Sequence, residues 1–167
     1  MAVDWEQQFR DVYHDLVRFL HRKVWDADRA HDLAQETFVK ALDHSPDNPR
    51  AFLFTIAANL ARDEARAAVR RKKHLELIVN ESPAHAEPDV HVALDRKEQE
   101  QAVKRALDAL GDKDRDVLLL WDAGLNYQEI ASQTGLAAGA IGTTLNRARK
   151  RLVEAYEAVE GKNAASG

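Results

Sequence analysis

No glycine precedes Gly111; all seven glycines stand at or after that position. Glycine thus divides the sequence, and the glycine-free part has no segment that alternates convincingly with a period of two. Its apolar residues instead recur every three or four positions, which is the period of an α-helix. Trp5, Phe9, Val12, Tyr13, Leu16, Leu20 and Val24 form one such stripe. A second helix is expected over about 28–43, with Leu33, Thr37, Phe38, Ala41 and Leu42 turned inward. Pro46 and Pro49 then break the chain. Asn48 is placed to cap a third helix that has proline in its first position and runs to about residue 77. Its core face is expected at Phe52, Ile56 and Leu60.

Glycine marks off the elements of the second half. A helix over about 94–110 is stopped by Gly111, and a short, almost wholly apolar one over 114–123 is stopped by Gly124. Asn126 and Glu129 have capping-box spacing and open a helix over 127–134. Gly135 turns the chain into a last long helix with Ile141, Leu145, Ala148, Leu152, Tyr156 and Val159 on one stripe. No segment alternates with a period of two, so the expected fold is all-α: two small helical domains, 1–77 and 94–160. A flexible acidic linker over 78–93, containing Pro83 and Pro88, joins them, and 161–167 is expected to be a disordered tail.

Composition narrows the function. The chain is 45% apolar and 31% charged, a balance that can bury a core. It has no run of about 20 apolar residues to span a bilayer. It contains no cysteine, which excludes disulfides, thiol catalysis and cysteine zinc sites. A cytoplasmic protein without membrane insertion is expected. The net charge of −4 hides a segregation: Arg62–Lys73 holds six basic and two acidic residues, and Arg147–Arg151 holds four more basic ones. Arg62, Arg66, Arg70 and Lys73 share one helix face with Asn59 a turn earlier, a stripe suited to an anionic partner or to a solvated helix end.

The segment YQEIASQTGLAAGAIGTTL, 127–145, has helix-turn-helix spacing: Ile130 as anchor, the small Ala131 at the crossing, Gly135 in the turn, Ile141 and Leu145 behind. Arg147, Arg149, Lys150 and Arg151 follow directly and favour DNA over an ordinary helical hairpin. Asp11/His14 and Asp28/His31 lie at i, i+3, but the further carboxylates of a dimetal site are missing. Neither a metal, a cofactor nor an enzymatic reaction is expected.

Three blocks carry a resemblance. DLAQETFVKAL (32–42), FLFTIAANLARDEAR (52–66) and LDALGDKDRDVLLLWDAGLNYQEIASQTG (107–135) are similar, in order and spacing, to the extracytoplasmic-function sigma factors of bacterial RNA polymerase. The resemblance implies that the first domain is sigma region 2 and the second sigma region 4. It implies that Asp32, Gln35 and Glu36 meet the β′ clamp helices of core polymerase, and that the second domain meets the β flap. Asn48 and Arg50, with the loop 43–50, match the part that captures a flipped minus-ten base; Asn59, Arg62, Arg66, Arg70, Arg71 and Lys73 match the part that meets upstream minus-ten DNA. The helix from about 138 matches the minus-thirty-five reader.

It also implies promoter DNA as a partner, an anti-sigma factor as a controlling one, and a free state that is monomeric. Two departures stand out. Phe52 replaces the family's usual tryptophan, and Ala137, Gly142 and Thr144 replace the polar cap, lysine and arginine of the recognition helix. The minus-thirty-five contact is therefore expected on Thr143, Thr144, Asn146 and Arg147, with Arg149, Lys150 and Arg151 adding basic charge. Gly142 reads either as room for close backbone approach to DNA or as drift. The other readings are a helix-turn-helix transcription regulator acting without sigma activity, and a helical interaction protein with a degenerate helix-turn-helix.

Overall fold

A computed structural model describes the backbone of residues 2–79 and 91–165. The chain is all-α, with seven helices among the described residues: α1 (Trp5–Val24), α2 (Ala27–Ala41), α3 (Pro49–Val79), α4 (His91–Asp108), α5 (Asp112–Asp122), α6 (Tyr127–Thr134) and α7 (Ala138–Ala165). They divide into two compact units, residues 2–79 with 122–125, and residues 91–121 with 126–165. Of the segment 78–93 expected as an acidic linker, residues 78–79 belong to α3 and 91–93 to α4, and the rest lies outside the described residues. Helix α7 likewise runs past Gly161, where the tail was expected to begin, to Ala165.

In the first unit α1, α2 and α3 pack against one another. Asp4 caps α1 by accepting from the Gln7 backbone N–H at 3.1 Å. The helix ends where Trp25 takes the left-handed conformation at φ 56°. Asp26 follows at once and caps α2 through the Arg29 N–H at 3.1 Å, so α2 starts earlier than its apolar residues suggest. Val12, Leu16, Phe19 and Leu20 of α1 are buried, as are Leu33, Thr37, Phe38 and Ala41 of α2. The buried Thr37 hydroxyl donates to the Leu33 carbonyl at 2.7 Å. Its polar atom is thereby satisfied within its own helix.

Two expectations about this core are corrected. Leu42 lies beyond the end of α2 and is 56% exposed, Ala41 filling the inward position instead. On α3 the buried face is Leu53, Phe54, Ala57 and Ala61, not Phe52, Ile56 and Leu60. Both sets have helical spacing; the chosen one places alanines where helices cross, and small side chains let the backbones approach. Phe54 then meets Phe19 edge to face with ring centres 5.3 Å apart, a preferred arrangement for two aromatic rings.

In the second unit α4 and α6 both pack on α7. The capping box is formed at both ends: Glu129 N–H donates to the Asn126 side chain and Asn126 N–H to the Glu129 carboxylate, each at 2.9 Å. Gly135 closes α6 at φ 76°, its N–H donating to the Ala131 carbonyl at 2.9 Å. Ile130, Ile141, Leu145 and Ala148 are buried as the pattern predicts. This is a helix-turn-helix, α6–turn–α7, held further by Lys113 Nζ donating to the Thr134 carbonyl.

Candidate functional site

Three exposed faces carry the residues singled out by the sequence. The first is on α2, where burial alternates in pairs: Leu33 and Ala34 inward, Gln35 and Glu36 outward, Thr37 and Phe38 inward. Asp32, Gln35 and Glu36 therefore stand together on one solvent-facing side. Val39, one turn further along the same side, is 65% exposed. An apolar residue in a polar stripe was the available signal for it. Asp32 has a cation beside it, Arg29 Nη1 at 3.5 Å.

The second face follows the loop into α3. Asn48 caps α3, accepting from the Ala51 N–H at 3.1 Å, so its side chain serves the helix. Arg50 is drawn inward: Nη2 donates to Asp15 at 2.8 Å and the guanidinium lies 5.8 Å from the Phe54 ring centre, within reach of a cation–π attraction. His44 and Phe52 bring their rings to 5.3 Å, an aromatic contact beside the loop that the sequence did not single out. Further along, Asn59, Arg62, Arg66, Arg70, Arg71 and Lys73 are all exposed, and Arg62, Arg66, Arg70 and Lys73 form the expected stripe. Arg71 is tied at 3.1 Å to Glu64, which is itself held by Arg29. Hydrogen bonding from Arg29, then its charge and that of Arg71, holds the Glu64 carboxyl below its ordinary range despite partial burial.

The third face is α7. Thr143, Asn146, Arg149 and Lys150 are exposed. Thr144 is buried, a correction to its expected place at the DNA: it falls on the side of the helix that continues the Ile141–Leu145–Ala148 stripe. Gly142 faces protein. A Cβ there would stand 3.5 Å from the Tyr127 ring of α6, an ordinary contact distance. Tyr127 lies 5.4 Å from Trp121, and Arg149 stands 5.8 Å over the Trp121 ring.

Arg147 and Arg151 turn toward Asp114 of α5, which the sequence did not single out although it is an acid bordering an apolar run. Asp114 Oδ1 accepts from Arg147 Nη2 at 2.8 Å, and Oδ2 from Arg151 Nη1 at 2.9 Å. These hydrogen bonds, Arg147's first, keep the buried carboxyl below its ordinary range against the cost of desolvation.

Among the described residues no group of three or more His, Asp or Glu is placed to hold a metal ion. His31 Nδ1 is instead 3.1 Å from the Tyr13 hydroxyl. No described helix is long and apolar enough to cross a membrane.

Comparison with known proteins accounts for the two units separately. Residues 8–71 match the family model of sigma-70 region 2, and residues 100–152 that of sigma-70 region 4. The chain is 31% identical to the RNA polymerase sigma factor YlaC of Bacillus subtilis over 156 residues, covering 88% of each protein. It is 34% identical to the ECF RNA polymerase sigma factor EcfG of Rhodopseudomonas palustris, covering 76% of this chain and 71% of that one. Its fold is similar, at a TM-score of 0.63 and 28% identity over 92% of this chain and 97% of the other, to the Bartonella quintana sigma factor RpoE solved in complex with the anti-sigma factor NepR. The two region matches, in order and on separate units, together with these relatives place the chain in the extracytoplasmic-function sigma factor family of RNA polymerase.

Proposed function

We propose that this alternative sigma factor docks on core polymerase through the α2 face of Asp32, Gln35, Glu36 and Val39 and directs it to a promoter with α3 and α7. The observation that carries the docking assignment is the grouping of two carboxylates and an amide on one exposed side of α2, around an apolar residue that nothing else requires to be there. Such a face suits the basic and apolar surface of a helical partner, with charge steering the encounter and Val39 adding buried area. The partner assigned to it is the pair of β′ clamp helices, and the partner of the second unit's helical face is the β flap.

On α3 the stripe Asn59, Arg62, Arg66, Arg70 and Lys73 meets the phosphates of upstream minus-ten DNA, neutralising charge without reading sequence. The loop 43–50 with Phe52 and His44 receives an unstacked base; opening a step costs a few kcal/mol, and an aromatic pocket offsets that cost by stacking. Asn48 and Arg50 shape this loop, one as helix cap and one as an inward ion pair. On α7, Thr143, Asn146, Arg149 and Lys150 face the minus-thirty-five element. Control by an anti-sigma factor is assigned by analogy with the RpoE–NepR complex.

Co-elution of the full chain with bacterial core RNA polymerase tests the reading, beside the double reversal Asp32→Lys with Glu36→Lys. The native chain is expected to travel with core and the reversed one to elute free. A native chain that elutes free from core of a related bacterium, yet binds duplex DNA alone, would instead identify a self-sufficient regulator.

A further inference from the structure

The geometry points to Asp114 as the positioning residue of the recognition helix, a buried carboxylate that holds Arg147 and Arg151 against the fold and off the DNA. This rests on the reading of the second unit as a promoter-binding module, and it divides the basic cluster after α7's first turns into two groups with different work.

The division follows from helix geometry. Thr144, Arg147 and Arg151 fall at i, i+3 and i+7, one line along α7. That line leads back to the fold: Thr144 is 6% exposed, and both arginines end on a carboxylate whose residue is 3% exposed. The arginine stems themselves stay about half open to solvent, so it is the burial of the acceptor that anchors them. Thr143, Asn146 and Lys150 form the neighbouring line with the same spacing, and all three are exposed. Arg149 stands beside them over Trp121.

The competition between Asp114 and a DNA phosphate favours Asp114. Its two oxygens accept charge-assisted bonds at 2.8 and 2.9 Å, and Arg147 adds a longer contact from Nε at 3.4 Å. Burial of the carboxylate shields these bonds from salt, whereas a phosphate on a solvated groove is screened. Releasing both arginines to DNA would leave a buried carboxylate without a cation, which is the costliest arrangement open to it. Two guanidinium groups anchored four residues apart also fix the roll of α7 about its axis. They thereby aim Thr143 and Asn146, which are the side chains left to read bases on a face otherwise made of alanine and glycine. Asp114 thus shapes promoter discrimination without touching DNA.

The test uses the full chain assembled with bacterial core polymerase and two duplexes. One is recovered by the wild-type holoenzyme from a random-sequence pool; the other is the same duplex with its upstream element shuffled. In Asp114→Asn the freed arginines reach phosphate, so the slope of log affinity against log salt is expected to steepen by roughly 0.9 per arginine released. Discrimination between the duplexes is expected to fall about tenfold, as a roll error misaligns one or two base contacts. An unchanged slope and unchanged discrimination overturn the proposal while leaving the sigma reading intact. A wild-type chain that binds neither core nor duplex overturns both, and the failure then lies in the parent protein rather than in the variant. Should Asp114→Asn melt the unit, Arg151→Gln serves in its place. Its slope is expected to match wild type with reduced discrimination; a slope shallower by about one marks Arg151 as a phosphate contact and removes the proposal.

Discussion

Arg29 donates from both Nε and Nη2 to the Glu64 carboxylate, at 3.1 and 2.7 Å, so a single two-pronged ion pair ties α2 to α3 beside the proposed docking face. Arg29 also lies 3.5 Å from Asp32, and Arg71 of the basic half of α3 reaches Glu64 at 3.1 Å. The Arg29 side chain is 40% exposed and that of Glu64 16%, which places the pair between a surface bridge and a buried one. Removing the charge in Glu64→Gln is therefore expected to cost about 1–2 kcal/mol. Urea unfolding of the first unit, followed by Trp5 and Trp25 fluorescence, checks it: the midpoint should fall with the slope unchanged. A midpoint equal to wild type would mean that the pair contributes nothing net.

The same carboxylate sets a pH dependence. Glu64 sits below its ordinary value because the folded state stabilises its charged form, chiefly through Arg29. A depressed folded value adds stability at all pH above the ordinary one, and that stability is lost as pH falls through the folded value. Wild type and Glu64→Gln should then differ by a constant amount near neutrality and converge in acid. Parallel curves down to the acid transition would contradict the assignment.

Val39 offers a prediction specific to docking. At 65% exposed it contributes little to the core. Burying a valine against a partner is worth about 1.5–3 kcal/mol. Val39→Asp is thus expected to weaken core polymerase binding by about tenfold or more, with a melting temperature close to wild type. Binding measured by titration of labelled chain with core decides it, and an undiminished affinity would move the docking face elsewhere on α2.

How far the sequence reaches can be judged on α3. The existence, start and cap of this helix were legible in Asn48–Pro49, because a cap side chain and a fixed φ are local matters. Its buried face was not, since Phe52/Ile56/Leu60 and Leu53/Ala57/Ala61 are equally periodic and only the crossing of α1 and α2 selects the second. The same division holds on α7. Its stripe was read correctly at Ile141, Leu145 and Ala148, yet no local rule says that Arg147 and Arg151 turn toward an aspartate more than thirty residues earlier. The exposed faces at Asp32–Glu36 and Arg62–Lys73 were legible as faces; the partners proposed for them rest on resemblance. Leu53→Ala is expected to cost about 2–5 kcal/mol and Phe52→Ala distinctly less, and paired urea curves for the two check which face is buried.

The glycines of the second unit separate conformation from space. Gly135 holds φ 76° with nothing within 4 Å of a Cβ built on it, so Ala would fit but would have to adopt a left-handed backbone. Gly135→Ala is expected to destabilise by about 1–2 kcal/mol on that ground alone. Gly142 has ordinary helical geometry, and its Cβ would meet the Tyr127 ring at 3.5 Å, a normal contact distance. Removing glycine from the interior of a helix stabilises it by up to about 1 kcal/mol, so Gly142→Ala is expected to raise stability. For a domain of this size about 1 kcal/mol moves the melting temperature by about 4–8 °C. Trp121 is the one tryptophan of the second unit, and its thermal transition should therefore shift down in Gly135→Ala and up in Gly142→Ala. A downward shift in Gly142→Ala would show that the Tyr127 ring cannot accept even a methyl group, making the fit of α6 on α7 tighter than its contact distance implies.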